Sequence, residues 1–350
     1  MAVVTTPDAY IYVCTRLRVR RSLLLPREEF LRMLNMELPE IVRHVGETGY
    51  KKEIDELSPG FAGVDLVEMA LSWNMAKEFQ KILDIMPGRL IRFTTAYLRR
   101  WDIQNVTNIL RGKNQGMKAG KIKEVLIPAG DFDREALDRL LAEDSVEKVV
   151  SALSGSWFSP VMKEVLSGGV TDEALITLEN ELVKAYYRDL VAEAAGGVSG
   201  GKNFLDWLGM EIDFRNIQNL FRLRHEKDQG DVLPLLIPGG RIPVEELARL
   251  NAIADRNEFV DALKKRAVHE PLQAALEEFR KERPIHEIEI ALTGALLRQM
   301  AFQTRLHPFS IYPVLSYLEE KRHEVANLRT LARGKRVNLP AGEIKGYLVI

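Results

Sequence analysis

The sequence contains a single cysteine, Cys14, which excludes an intramolecular disulfide framework and fits a reducing compartment such as the cytoplasm. Charge of one sign is not in excess either, because 49 basic residues stand against 50 acidic ones. This balance excludes the global positive field of a nucleic-acid binder. Even the apolar stretch 290–302 is interrupted by Arg298, and it falls short of the roughly 18 apolar residues of a membrane span.

Signatures of catalysis and of metal binding are scarce. The six histidines have no partner at the spacing of a motif such as His-Glu-x-x-His, and one cysteine cannot complete a Cys/His zinc site. No pair of carboxylates is marked for acid and base roles. The residues therefore predict no catalytic, cofactor-binding or metal site.

The glycine-rich segment 196–203 matches two catalytic patterns. Its glycine and lysine spacing fits a phosphate-binding loop, but Asn203 stands where a serine or threonine would bind magnesium. The glycines around Ser199 also fit the elbow of serine hydrolases. Both motifs require a preceding strand, whereas residues 190–195 have a helical pattern. We interpret the segment as a flexible interhelical loop, and an enzyme that uses Lys202 or an unmarked pair of carboxylates stays as an alternative.

An internal repeat of about 110 residues organises the chain. Shifts of 111 and 222 residues superimpose a polar set without gaps: Asp102, Asn105, Asn108 and Arg111; Asp213, Asn216, Asn219 and Arg222; Glu324, Asn327, Thr330 and Arg333. A glutamate recurs at nearly the same step, as Glu68, Glu179 and Glu289. A repeat of this length is close to domain size, so each copy is expected to have its own core.

Breaks in the helical pattern place the boundaries between repeats. The Leu-Ile-Pro-x-Gly segments at 126–130 and 236–240 end one helix before the next begins, and the third repeat lacks such a segment. The sequence thus predicts three domains, over residues 1–130, 131–240 and 241–350.

Each repeat is predicted to be a helical bundle. Val146, Val149, Val150 and Leu153 have the i, i+3, i+4, i+7 spacing of one helix face, and alternation typical of strands is almost absent. Pro160 and Pro271 lie 111 residues apart, where the first turn of a helix tolerates proline. The expected fold class is all-α, with three similar bundles in tandem around a pseudo-threefold axis.

The recurring polar residues are predicted to be structural, because features that all repeats share specify the shared fold. We expect Asn105, Asn216 and Asn327 to hydrogen-bond a neighbouring helix or loop, since asparagine is a mediocre helix former. We also hypothesise that the arginine and the glutamate of each repeat form an ion pair: Arg111 with Glu68, Arg222 with Glu179, and Arg333 with Glu289.

Three blocks of sequence resemble the C subunit of archaeal-type (A-type/V-type) rotary ATP synthases, which is related to the d subunit of the vacuolar proton-pumping ATPase. The blocks are Tyr10-Ile11-Tyr12 with Arg16, Arg18 and Leu24-Leu25; residues 97–102 with Asn105, Asn108 and Arg111-Gly112-Lys113; and Asp213-Phe214 with Asn216 and Asn219. Together with the length and the triplication, they extend the resemblance over essentially the whole chain.

The resemblance implies a non-catalytic, funnel-shaped protein on the cytoplasmic face of the cell membrane. It would be seated on the membrane proteolipid ring, hold the central-stalk subunits D and F, and couple rotation of the ring to the catalytic head. The family supplies no catalytic, cofactor-binding or metal residues, and no nucleic-acid partner. The alternative is a cytosolic all-helical scaffold unrelated to ATP synthases.

Overall fold

The computed structural model describes residues 7–196, 200–226 and 230–350, and these residues contain helices and no β-strand. The all-α prediction is confirmed. None of the described helices is long and apolar enough to cross a membrane.

The first part of the chain combines short and long helices. They are α1 (Pro7–Arg21), α2 (Arg27–Met33), α3 (Leu38–Gly46), α4 (Lys51–Leu57), α5 (Gly63–Leu83), α6 (Gly88–Leu98), α7 (Arg100–Asn114) and α8 (Ala119–Lys123). The order from α2 onwards is three short helices, one long helix, a second long stretch divided between α6 and α7, and a short helix.

The same order follows twice more. The second set is α9 (Arg134–Ala142), α10 (Val146–Ala152), α11 (Ser159–Val165), α12 (Asp172–Ala195) and α13 (Gly201–Glu226), followed by a 3-10 turn at Leu233–Leu235. The third set is α14 (Val244–Asn251), α15 (Arg256–Arg266), α16 (Glu270–Glu278), α17 (Ile285–Leu306), α18 (Tyr312–Arg336) and α19 (Ala341–Gly346). The repeat in sequence is therefore a repeat of helices.

Local sequence explains where equivalent helices begin. The side chain of Ser145 accepts a hydrogen bond from the first turn of α10, and Asp255 does the same for α15. Glu37 caps α3 through a reciprocal contact with Glu40. These side chains satisfy backbone N–H groups that have no partner within the helix. The predicted proline positions are also confirmed, because α11 and α16 carry proline in their first turn.

The helices form two compact units, one of residues 36–190 and one of residues 1–35 with 191–350. The predicted boundaries at residues 130 and 240 each fall inside one of these units. The division into three domains therefore stays a prediction about the repeats rather than a description of the compact units.

The unit of residues 36–190 has a core of large buried side chains. Phe79, Phe93, Tyr97, Phe158 and Tyr187 are almost fully inaccessible to solvent. Each such side chain contributes on the order of 1.5–3 kcal/mol through the water-exposed surface that it loses. Of the predicted apolar stripe, Val146 and Val149 on α10 and Leu153 directly after it are buried.

The second unit has an aromatic core of its own. The ring of Phe221 on α13 meets Phe259 and Phe279 edge-on, at centroid distances of 5.4 and 5.1 Å. Trp207, also on α13, is completely buried. Edge-to-face aromatic pairs add roughly 0.5–1.5 kcal/mol beyond area burial, so α13 is anchored along its length.

The glycine-rich segment lies between two helices. Residues 197–199, which include Ser199 of the hydrolase pattern, are outside the described residues. α12 continues to Ala195 and α13 begins at Gly201, with Lys202 in its first turn. Neither catalytic pattern has the preceding strand that it requires.

Candidate functional site

The recurring asparagines occupy equivalent positions on the long helices α7, α13 and α18, and all three side chains are buried. Each amide donates to the carbonyl oxygen, and accepts from the N–H, of one residue in a non-helical segment. That residue is Ile127 for Asn105, Ile237 for Asn216 and Val349 for Asn327. The six donor–acceptor distances lie between 2.7 and 3.0 Å.

These two-point contacts hold the segment that follows each long helix. A buried segment outside helices leaves its backbone N–H and C=O groups unpaired, and an amide side chain can satisfy one of each. In the third repeat, Leu348-Val349 takes the place of Leu126-Ile127 and Leu236-Ile237, although the rest of the Leu-Ile-Pro-x-Gly segment is missing there. The contact thus needs only the backbone of the segment.

An acidic side chain three residues before each asparagine binds the beginning of another repeat. Asp102 accepts from the N–H of Phe132, Asp213 from that of Ile242, and Glu324 from that of Leu25, at 3.1, 3.1 and 2.6 Å. These three backbone donors stand at the same place, two residues before α9, α14 and α2 begin. The first repeat therefore holds the start of the second, the second that of the third, and the third that of the first.

We call these three contacts between repeats the junctions. At two of them a glycine is required, because the carboxylate of the acidic side chain lies directly against the backbone. A Cβ atom on Gly130 would lie 2.3 Å from Oδ1 of Asp102, and one on Gly240 would lie 2.3 Å from Oδ1 of Asp213. The third junction has the longer Glu324, and Leu23 stands at the position of the glycine. The additional methylene group lets the carboxylate reach the backbone from further away, so a side chain is tolerated there.

Burial shapes the electrostatics of these carboxyl groups. Desolvation raises the pKa of Asp102 to about 7 and that of Asp213 to about 6, against the opposing effect of their backbone donors. Glu324 has a buried cation beside it instead, because Lys321 Nζ lies 2.7 Å from its carboxylate. A buried ion pair of this kind costs about 3–5 kcal/mol when one partner is removed.

The predicted arginine–glutamate pairing within each repeat is wrong for the two arginines whose partners the structure shows. Arg111 pairs with Glu179 and not with Glu68, and Arg222 pairs with Glu289 and not with Glu179. Each pair joins a long helix of one repeat to the long helix of the next: α7 to α12, and α13 to α17. The shift of 111 residues identified equivalent residues, and equivalence does not reveal which copies are neighbours.

The remaining two predicted residues lie on long helices of the first and third repeats. Glu68 is buried on α5, where its backbone carbonyl accepts a hydrogen bond from Ser72. Arg333 is exposed in the last turn of α18.

The sequence prediction missed two cations that bind the next repeat. Lys113 Nζ donates to the carbonyl oxygens of Leu141 and Glu143, at the end of α9. Arg224, its equivalent, donates to the carbonyl oxygens of Asn251 and Ile253, at the end of α14. Cations at this position satisfy terminal carbonyl groups and complement the helix dipole. The available signal was a basic residue two positions after each recurring arginine, Lys113 after Arg111 and Arg224 after Arg222.

Comparison with known proteins shows what kind of chain carries these contacts. Residues 13–347 match the model of the ATP synthase (C/AC39) subunit family. The chain belongs to this family. The resemblance inferred from the sequence blocks is thereby confirmed.

Relatives of this C/AC39 chain align over nearly their whole length. It is 35% identical to the A-type ATP synthase C subunit of Archaeoglobus fulgidus over 98% of the chain and 96% of the relative. It is 34% identical to that of Methanococcoides burtonii over 97% and 94%, and 35% identical to that of Haloferax volcanii over 97% and 97%. The chain is thus similar to the C subunits of A-type ATP synthases from end to end.

In this C/AC39 chain, Asn105→Ala should lower the free energy of unfolding by roughly 1–3 kcal/mol, because it leaves the buried N–H of Ile127 without a partner, whereas the C=O of Ile127 still accepts from the N–H of Ala129. The exposed Gln104→Ala on the same helix is the matched control, and it should stay within about 0.5 kcal/mol of wild type. Denaturant unfolding measures both. Equal stability of the two variants would contradict the structural role of the asparagine.

Arg111→Met should change the free energy of unfolding by less than about 1 kcal/mol, because the side chains of Arg111 and Glu179 are 37% and 44% exposed. The same denaturant titration checks this, and Glu179→Gln should give a similarly small effect. A loss above about 3 kcal/mol in either variant would mean that the pair is shielded from solvent.

Proposed function

We propose that this chain is a non-catalytic coupling subunit of a rotary ATP synthase. It would sit on the membrane proteolipid ring at the cytoplasmic face, as a peripheral protein, and hold the central-stalk subunits D and F. Its task would be to pass rotation of the ring to the stalk and the catalytic head. Membership of the C/AC39 family, with relatives that are C subunits of A-type ATP synthases, supports the proposal.

The observation that supports the mechanical part of the proposal is the set of contacts between repeats. The carboxyl groups of Asp102, Asp213 and Glu324 each fix the backbone at the start of a different repeat. A body that transmits torque must not let its parts turn against one another. Buried, directional contacts resist such motion better than apolar packing alone, because a hydrogen bond weakens steeply with misalignment.

The buried asparagines that recur in the three repeats are already engaged in holding the fold. The amides of Asn105, Asn216 and Asn327 have both their donor and acceptor atoms paired with backbone. Partner recognition is therefore assigned to surfaces on which the repeats differ. A cytosolic scaffold unrelated to ATP synthases, the alternative from sequence, is disfavoured by the family match over residues 13–347.

Cosedimentation of the purified chain with detergent-solubilised proteolipid ring, with and without the D–F pair, tests the proposal. We expect one chain to bind each ring, and the D–F pair to join the ring only when the chain is present. The control is the ring with the D–F pair alone. Absence of association with both partners at micromolar concentrations would contradict the coupling role.

A further inference from the structure

Two stretches of this chain contain no acidic residue. Residues 9–27 and 290–318 have neither aspartate nor glutamate, although the whole sequence has 50 of them. Neither stretch contains lysine, so arginine and His307 are their only basic residues. In a protein of net charge −1, these stretches are a strong local departure from the average.

The fold places the two stretches side by side within one compact unit. The Cys14 thiol of α1 donates to the carbonyl oxygen of Ser310 at 3.7 Å. The guanidinium group of Arg18 lies 5.4 Å from the ring centroid of Phe309. Val13 and Leu17 on the inner side of α1 are buried. α1 therefore packs against the segment between α17 and α18 and turns its other side outwards.

Exposed cations and large apolar side chains occur on α1, at the end of α17 and in the segment that follows α17. Tyr12, Phe302 and Phe309 are 54%, 45% and 47% exposed, and Arg16, Arg18 and Arg305 are exposed as well. We call these six residues the basic–apolar face. The Arg16 guanidinium lies 5.6 Å from the ring centroid of Tyr12, as that of Arg18 lies close to Phe309. Exposed apolar groups that lie near one another mark interaction surfaces more often than isolated ones do.

The composition of the face indicates the chemistry of its partner. Arginine and aromatic residues are enriched, and lysine, aspartate and glutamate depleted, at the centres of protein–protein interfaces. A second copy of this chain would bring arginine against arginine, and like charges placed together cost several kcal/mol. A lipid surface requires a helix with one polar and one apolar side, whereas α1 has apolar residues on both.

We propose that the basic–apolar face docks an acidic protein surface, one that carries carboxylates beside apolar side chains, on another subunit of the synthase. Arginine forks would pair with the carboxylates, and Tyr12, Phe302 and Phe309 would be covered by the apolar groups. This inference rests on the proposed function, because it takes the partner from the same complex.

Charge reversal tests the face. The variant Arg16→Glu, Arg18→Glu and Arg305→Glu is compared with Lys51→Glu, Lys52→Glu and Lys163→Glu, three exposed lysines of the other compact unit. Both variants change the net charge equally. We expect the arginine variant to bind the assembled ring and D–F pair about tenfold more weakly, with a flatter salt dependence, and the lysine variant to change binding less than about twofold.

A photocrosslinker identifies the molecule that covers the basic–apolar face. Its result does not depend on whether the charge variant folds correctly. Benzoylphenylalanine in place of Phe309 should crosslink, in the assembled complex, to an acidic segment of a ring or stalk subunit. Crosslinks to lipid or to a second copy of this chain would overturn the inference, and so would equal binding by the two charge variants. If the wild-type chain binds neither partner, the proposed function falls and this inference falls with it.

Discussion

The architecture depends on one interaction, the hydrogen bond from a backbone N–H at the start of a repeat to a buried carboxyl group on a long helix of another repeat. Asp102, Asp213 and Glu324 make it in turn. Each bond fixes the direction in which the chain leaves one repeat and begins the next. The third acceptor reaches back to Leu25, at the start of the first repeat and within the same compact unit.

The other recurring contacts reinforce the same junctions. Asn105 and Asn216 hold the segments just before the first two junctions, and Lys113 and Arg224 hold the end of the first helix beyond each of them. The exposed arginine–glutamate pairs add little stability, but they too link one repeat to the next. The connections between repeats, which would otherwise be flexible linkers, are thus hydrogen-bonded both before and after the junction. Such fixed connections suit a protein proposed to transmit rotation.

The sequence predicted the local structure well, because helix periodicity, proline positions and the repeat itself are short-range signals. It also predicted that the asparagine amides bond to a neighbouring helix or loop, and the contacts of Asn105, Asn216 and Asn327 agree. It failed on the partners of Arg111 and Arg222, because a shift between copies shows which residues are equivalent but not which copies touch. The contact of Glu324 with Leu25, almost 300 residues apart in the chain, depends on tertiary packing that no local pattern encodes.

Amide hydrogen exchange at Leu25 tests the central claim most directly. If the third repeat holds the first, the Leu25 amide should be protected in the native protein, as the amides of Phe132 and Ile242 should be. Glu324→Ala should then accelerate exchange at Leu25 far more than at Phe132, since Asp102 still binds the N–H of Phe132. Exchange of the Leu25 amide at the rate of an exposed loop in the wild-type chain would contradict the account.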